Sequence, residues 1–264
     1  MVKETPKTLK LVTLNTWSGR ALYPLMHFFR TYANSVDIFC LQEVRNSSQE
    51  AADARHPEEC LYGPLFEKIT PELQDYQGSF ASFEDDKDKM SLASFWKKSL
   101  PLKTIDDFVI YNPQEPQEIG STVFSSRKLQ YLVIDMASKE MLIANYHGLW
   151  NNGPKTDTPE RIEQSQKIKF FLDSFIGPKI ICGDFNLLPK TESLRILERG
   201  MRNLVTEYGV TSTRTSLYRH YTNQPKLADY ILISPEIQVK KFEVLPEIAS
   251  DHTALYLEFS LSPS

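Results

Sequence analysis

Cysteine is scarce in this chain. Cys40, Cys60 and Cys182 are its only three in 264 residues, and their spacing matches neither a metal-binding knuckle nor a disulfide framework. Nowhere do apolar residues run long enough to span a bilayer, and no apolar stretch of export length follows the lysines of the first seven residues. A cytoplasmic protein with no membrane span is therefore expected. Positive charge is not in surplus either: 30 Lys and Arg stand against 34 Asp and Glu, a net charge of −4. That balance argues against a protein that grips duplex nucleic acid over many phosphates, because such binding rests on Lys and Arg neutralisation. Linkers, low-complexity segments and internal repeats are also missing. With 41% hydrophobic residues the chain can bury a large core, and one domain over residues 1–264, acting as a monomer, is the expectation.

What is present is a set of short apolar runs, each ending in a polar residue that can do chemistry. Leu11–Leu14 ends at Asn15, Asp37–Leu41 at Gln42-Glu43, Met141–Tyr146 at His147, and Lys179–Cys182 at Gly183-Asp184-Phe185-Asn186. Bounded by glycine, proline and polar clusters, these four-to-six-residue runs read as buried strands. Taken singly, the terminal residues have plain structural readings. Asn15 can turn the chain, Glu43 can open a loop, His147 can be a hydrogen-bonded turn residue, Asp184 and Asn186 can make an Asx-turn, and Asp251 can orient His252. Together they divide into hard oxygen ligands and proton-transfer groups gathered at strand ends, where open α/β sheets keep their crevices.

At this level the chain resembles the endonuclease/exonuclease/phosphatase superfamily over nearly its whole length. The resemblance is carried by Thr13-Leu14-Asn15-Thr16-Trp17, Cys40-Leu41-Gln42-Glu43-Val44, Tyr146-His147-Gly148-Leu149-Trp150, Gly183-Asp184-Phe185-Asn186, Ala228-Asp229-Tyr230-Ile231 and Ser250-Asp251-His252, in family order. It implies a four-layer α-β-β-α sandwich of two mixed, mostly antiparallel sheets flanked by helices, and Mg²⁺- or Mn²⁺-dependent phosphoester hydrolysis. It also implies roles: Glu43 as metal ligand with Asn15 and Asp251 nearby, Asp184 as orienter and base for the attacking water, and Asn186 and His147 on the non-bridging oxygens. His252 would stabilise the transition state while held by Asp251, and Asp229 would orient Asn186 or a metal-bound water. Which of Asp184 and His252 takes the proton stays open. The chain departs from several family members at Met90, where they carry an acidic or amide residue that contacts the histidine. Glu84, Asp85, Asp86 and Asp88 are the available substitutes.

Helical periodicity places helices at residues 21–33 (Leu22, Leu25, Met26, Phe29), from Thr158-Pro159 to Gly177-Pro178 (Ile168, Phe171, Leu172, Phe175), and at 191–201 (Leu194, Leu197, Met201). Arg161, seven residues before Ile168 on the same face, is either a phosphate contact or an anchor for a loop carbonyl. Between Leu187 and Leu227 seven basic residues outnumber three acidic ones. Arg214 and Arg219, in a loop-like stretch before Asp229, are the candidates there for substrate binding. Trp17, Trp150 and Tyr218 can stack on bases or simply pack.

The reading that follows is hydrolysis of a phosphodiester in a nucleic acid or nucleic-acid adduct. The alternative is a lipid, inositol phosphate or other small phosphoester as substrate, and a binding protein without turnover is a further one. His147 aligns the chain more with the deoxyribonuclease, deadenylase, sphingomyelinase and inositol-phosphatase branches than with abasic-site endonucleases.

Overall fold

The computed structural model describes all residues except 1–7, 48–50, 53–59, 84–89, 114–117, 120–121, 124–125, 137–138, 152, 220–225 and 263–264. Twelve of its strands form two six-stranded sheets. The first contains β1 (Leu9–Asn15), β2 (Ile38–Val44), β3 (Tyr76–Phe80) and β4 (Ser91–Lys97), and the second opens with β5 (Leu102–Tyr111), β6 (Arg127–Asp135), β7 (Glu140–His147) and β8 (Lys179–Asp184). β9 (Arg202–Asn203) and β10 (Asp229–Ile233) complete the second sheet, and β11 (Ile237–Val244) and β12 (Leu255–Leu261) return to the first. The orders are β11-β12-β1-β2-β4-β3 and β9-β10-β8-β7-β6-β5. Only β1/β2 and β7/β8 pair in parallel; the other neighbours run antiparallel. This is the expected sandwich of two mixed sheets.

Period-two burial explains why the sheets stack. Leu9, Leu11, Ile38 and Cys40 point into the cluster shared with Ile143, Ile181 and Ile231 of the second sheet. The alternating residues Val12, Leu14, Phe39 and Leu41 face the opposite way, onto Leu25, Phe28 and Phe29 of α1 (Leu22–Tyr32) and Leu65 and Ile69 of α2 (Leu65–Ile69). The second sheet is covered by α3 (Pro159–Ser174), which starts as expected, with Thr158 accepting a hydrogen bond from the Arg161 N–H and proline at N1. α4 (Glu192–Glu198) begins on a Thr191 cap but is shorter than the 191–201 expected, because the chain turns at Gly200 with φ of 74° and enters β9. Cys40 and Cys182 are buried between the sheets, and the side chain of Cys60 lies outside the described residues.

Two glycines let the strand ends close up. Gly183 has φ of 139°, and a Cβ there would sit 2.0 Å from the Tyr146 carbonyl oxygen. At Gly148 a Cβ would sit 1.9 Å from the Phe185 carbonyl oxygen. No side chain fits either place, so the backbones after β7 and β8 approach as only glycine permits. Gly183→Ala is expected to lower stability by at least about 2 kcal/mol, read as a reduced urea midpoint. An unchanged midpoint would show that the strands tolerate a wider spacing.

Candidate active site

Strand register builds the first half of the site. In the second sheet His147 pairs with Asp184 across the parallel β7/β8 ladder, and Asp184 pairs with Asp229 across the antiparallel β8/β10 ladder. Three ionisable side chains thus stand in one row at one edge. In the first sheet Asn15 pairs with Gln42, and Glu43 follows. Beneath this level a polar layer joins the sheets: Gln42 Nε2 donates to Asn145 Oδ1 at 2.7 Å, and Asn145 Nδ2 donates to the Leu41 and Ala93 carbonyls, each at 3.1 Å. Buried amides bonded this way fix the stacking of the two sheets.

Asp184 is the meeting point. Its Oδ2 accepts from Asn15 Nδ2 at 3.1 Å and lies 3.6 Å from His252 Nε2 and 3.8 Å from His147 Nε2, while Oδ1 accepts the Asn186 N–H at 2.9 Å. The same Asn15 amide donates to Glu43 Oε1 at 3.1 Å, so one side chain links carboxylates from both sheets. Asn15 Oδ1 accepts the Trp17 N–H at 2.9 Å, which leaves its second lone pair for a cation. Glu43 lies on an irregularity between β2 and β4, with φ of 54°. A non-glycine residue there costs about 1 kcal/mol or more; the bulge turns its carboxylate toward the cleft. Glu43 is the more open of the two carboxylates, with 21% of its side chain exposed against 2% for Asp184. The Ser18 hydroxyl, with one proton to give, stands within reach of Glu43 Oε2 at 3.3 Å and of the Met90 sulfur. The four acidic substitutes for Met90 lie outside the described residues. Among the described residues, His147 Nε2 is 3.9 Å from Glu43 Oε1 and makes no hydrogen bond.

The histidine opposite is held differently from the expectation. His252 Nδ1 is 2.8 and 2.9 Å from the two oxygens of Asp229, which makes Asp229 its orienting carboxylate. Asp251 receives Arg214 Nη1 at 3.1 Å and lies 3.8 Å from His252 Nε2. Arg214 Nη1 also touches His252 Nε2, and its guanidinium lies 4.4 Å over the Tyr218 ring. The reason is a strut: residues Ser212–Thr215 bridge to His252 and Lys226, with the Thr213 carbonyl accepting the Thr253 N–H at 3.0 Å. The strut brings Arg214 inward. Asn186 Nδ2 donates to the Gly148 carbonyl at 3.3 Å, not to Asp229.

Burial and charge set the protonation states. Burial opposes ionisation of Asp184, but His252, Lys155, His147 and Arg214 outweigh it and hold the carboxyl well below the usual range. Burial likewise opposes the charge on Glu43, which His147, the Asn15 hydrogen bond, His252 and Arg20 keep lowered. Burial, reinforced by Arg127, pushes His147 down to about 4, so it is neutral at pH 7. His252 goes the other way: burial and Arg214 lower its pKa, and Asp229, Asp251 and Asp184 together raise it above the ordinary value.

Two cations of this cleft escaped the sequence reading. Arg127, at the start of β6, is held near Glu43 and Asp184 and donates to the Gly148 carbonyl at 3.4 Å. Lys155 lies in the field of Asp184, Asp229 and Asp251. The turn formers around Lys155 (Gly153-Pro154 and Thr156-Asp157-Thr158-Pro159) were the available cue. Arg161, expected as a candidate phosphate contact, is an anchor: its buried guanidinium binds the carbonyls of Leu149 at 3.2 Å, Pro154 at 2.8 Å and Thr156 at 2.5 Å, and Asn151 Oδ1 at 3.0 Å. Arg219 is exposed. Other arginines of the basic stretch pair locally, Arg195 and Arg199 with Glu192 and Arg202 with Glu207.

The oxygen donors fit a hard divalent cation. Asp184, Asp229 and His252 also bring ligand atoms within 4.8 Å of one another, although the His252–Asp229 hydrogen bond occupies two of the three.

Comparison places this arrangement among known proteins. No curated protein matches the chain in sequence. Among solved structures, an endonuclease/exonuclease/phosphatase from Bacteroides vulgatus superposes with a TM-score of 0.70 at 17% identity, covering 97% of this chain and 100% of that one. The Bacteroides thetaiotaomicron mannosyl-6-phosphatase Bt3783 gives 0.68 at 19% identity, covering 96% and 100%. The human Nocturnin catalytic domain with bound sulfate anion gives 0.65 at 18%, covering 98% and 97%. These similarities establish a shared fold. The sequence profile of the Endonuclease/Exonuclease/phosphatase family matches residues 12–252, and the chain therefore belongs to that family of phosphoester hydrolases.

Proposed function

We propose that this protein hydrolyses a phosphodiester in a nucleic acid or nucleic-acid adduct, with Mg²⁺ or Mn²⁺ held at Glu43. The observation that carries the reading is the ionised, buried Asp184 carboxylate, set between two imidazoles of which one is backed by Asp229. The bound cation would neutralise substrate charge and acidify a water. The chain's own groups then divide the work. Asp184 orients the attacking water through Oδ2, and because its pKa is depressed it is a weak base. His252, made more basic by Asp229, takes the proton as the water oxygen bonds to phosphorus and the bond to the leaving oxygen breaks. His147 is uncharged at neutral pH and donates an N–H to a non-bridging oxygen, with the Asn186 amide beside it. Arg214, against His252 and Asp251, adds charge where the phosphoryl oxygens gather.

A second reading, hydrolysis of a lipid, inositol or other small phosphoester, draws on a specific observation. With Arg195, Arg199 and Arg202 committed to neighbouring glutamates, the basic stretch offers few cations for a long phosphate track. A sugar phosphatase among the similar folds is compatible with it.

The test is a panel of single-stranded DNA, duplex DNA, RNA, 5′-tyrosyl DNA, sphingomyelin, inositol phosphates and a sugar phosphate, run with Mg²⁺, with Mn²⁺ and with chelator. Metal-dependent cleavage of a nucleic acid is expected, and Asp184→Asn should slow it by at least about a hundredfold. Turnover of the small phosphoesters alone would favour the second reading, and full activity in chelator would remove the cation from the account. The proton assignment has its own signature. Since His252 must be neutral to accept a proton, kcat/KM should rise with pH through an inflection above the ordinary histidine value. Asp229→Asn removes a charge that raises this pKa, so the inflection should move to lower pH while the plateau falls. An inflection that stays in place would detach it from the His252–Asp229 pair.

A further inference from the structure

Resting on the reading of this cleft as a phosphoester site, we infer that Lys155 is a further substrate-contacting residue, its ammonium binding a non-bridging phosphoryl oxygen on the Asp184–Arg214 side of the cleft. Among its described residues the segment between β7 and α3 has no regular structure, yet it is fastened around Lys155. Arg161 binds the carbonyls on either side of Lys155, those of Pro154 and Thr156. The Lys155 carbonyl itself accepts the Leu188 N–H at 2.8 Å, directly after the Gly183–Asn186 motif. Two residues on, Asp157 receives the Glu192 and Ser193 N–H groups at the start of α4, each at 2.8 Å. Three consecutive carbonyls are therefore fixed. The backbone that carries this lysine is set before any ligand arrives, so binding need not order the loop.

The charges that surround the side chain are those of the cleft. Lys155 is partly buried, and the charged groups that act on it are Arg214, Asp184, Asp229 and Asp251. Burial and Arg214 outweigh the three carboxylates and bring its pKa down to about 8, which leaves it mainly protonated at pH 7. Among the described residues the ammonium makes no hydrogen bond and no ion pair, although three carboxylates lie within its field. A lysine present to neutralise Asp251 would sit on it, as Arg214 does at 3.1 Å. The position of Lys155 instead leaves its three N–H donors available to an incoming anion. This also gives Arg161 a purpose: it is a positioning residue that acts through the loop and not by touching substrate.

The experiment is calorimetric titration of the full chain with inorganic phosphate in Mg²⁺ buffer, for wild type, Lys155→Met and Lys155→Arg, with melting temperatures as a control on folding. Lys155→Met should weaken phosphate binding about tenfold or more, the loss of one charge-assisted hydrogen bond, while Lys155→Arg stays within about threefold of wild type at similar melting temperatures. Equal affinity in wild type and Lys155→Met, or no phosphate binding by the wild type, would overturn the inference. The result is separable from the proposed activity. A wild type that binds phosphate through Lys155 but hydrolyses nothing in the panel would leave the contact standing and the activity rejected, and turnover with an unaltered Lys155→Met affinity would do the reverse.

Discussion

A carboxylate that is buried and yet charged organises this molecule. Removing Asp184 from water strongly disfavours its ionised form, and the surroundings are arranged to offset that penalty. An amide from the other sheet, a backbone N–H two residues on, an imidazole backed by a second carboxylate, and two cations from irregular segments all bear on it. Each of these groups is brought by a different part of the chain. The site can therefore exist only when both sheets have packed, which couples the chemistry to the fold.

That coupling explains features that would otherwise be oddities. The Asn15 amide spans two carboxylates because it stands at the seam between the sheets. Gly148 and Gly183 are required because the β7 and β8 ends must approach closely enough for His147 and Asp184 to face the same space. Glu43 and Asn186 both adopt positive φ without being glycine, at 54° and 51°, so backbone strain is concentrated at the cleft. The shared polar layer of Gln42 and Asn145 holds the seam in register.

Much of this was legible in the sequence because strand-end residues are placed by short-range pattern. An apolar run of four to six residues ending near Asn15, Glu43, His147 or Asp184 marks the strand and places these residues at its end, although the turn of Glu43 into the cleft comes from a bulge. The six motifs in order then identify the family. What was hidden depended on contacts across long sequence separations. The hydrogen bond from His252 Nδ1 to Asp229 follows from how the two sheets stack, which the Ser250-Asp251-His252 string does not contain. Arg161 and Arg214 were ambiguous because a helical stripe or a basic loop says which way a side chain leaves the backbone and not what it meets. In the structure the first holds a loop and the second joins the site. Lys155 carried almost no signal, since its placement comes from carbonyl anchors supplied by Arg161 and Leu188.

The two sheets converge on one cleft, and in the function proposed above Glu43 would hold the cation while Asp184, with the His252–Asp229 pair, stays available to the water. Anomalous diffraction from crystals of the protein soaked in Mn²⁺ tests it directly. The predicted result is a peak in coordinating contact with a Glu43 carboxylate oxygen, with the His252 Nδ1–Asp229 hydrogen bond intact. A peak enclosed by Asp184, Asp229 and His252, with that hydrogen bond broken, would contradict it.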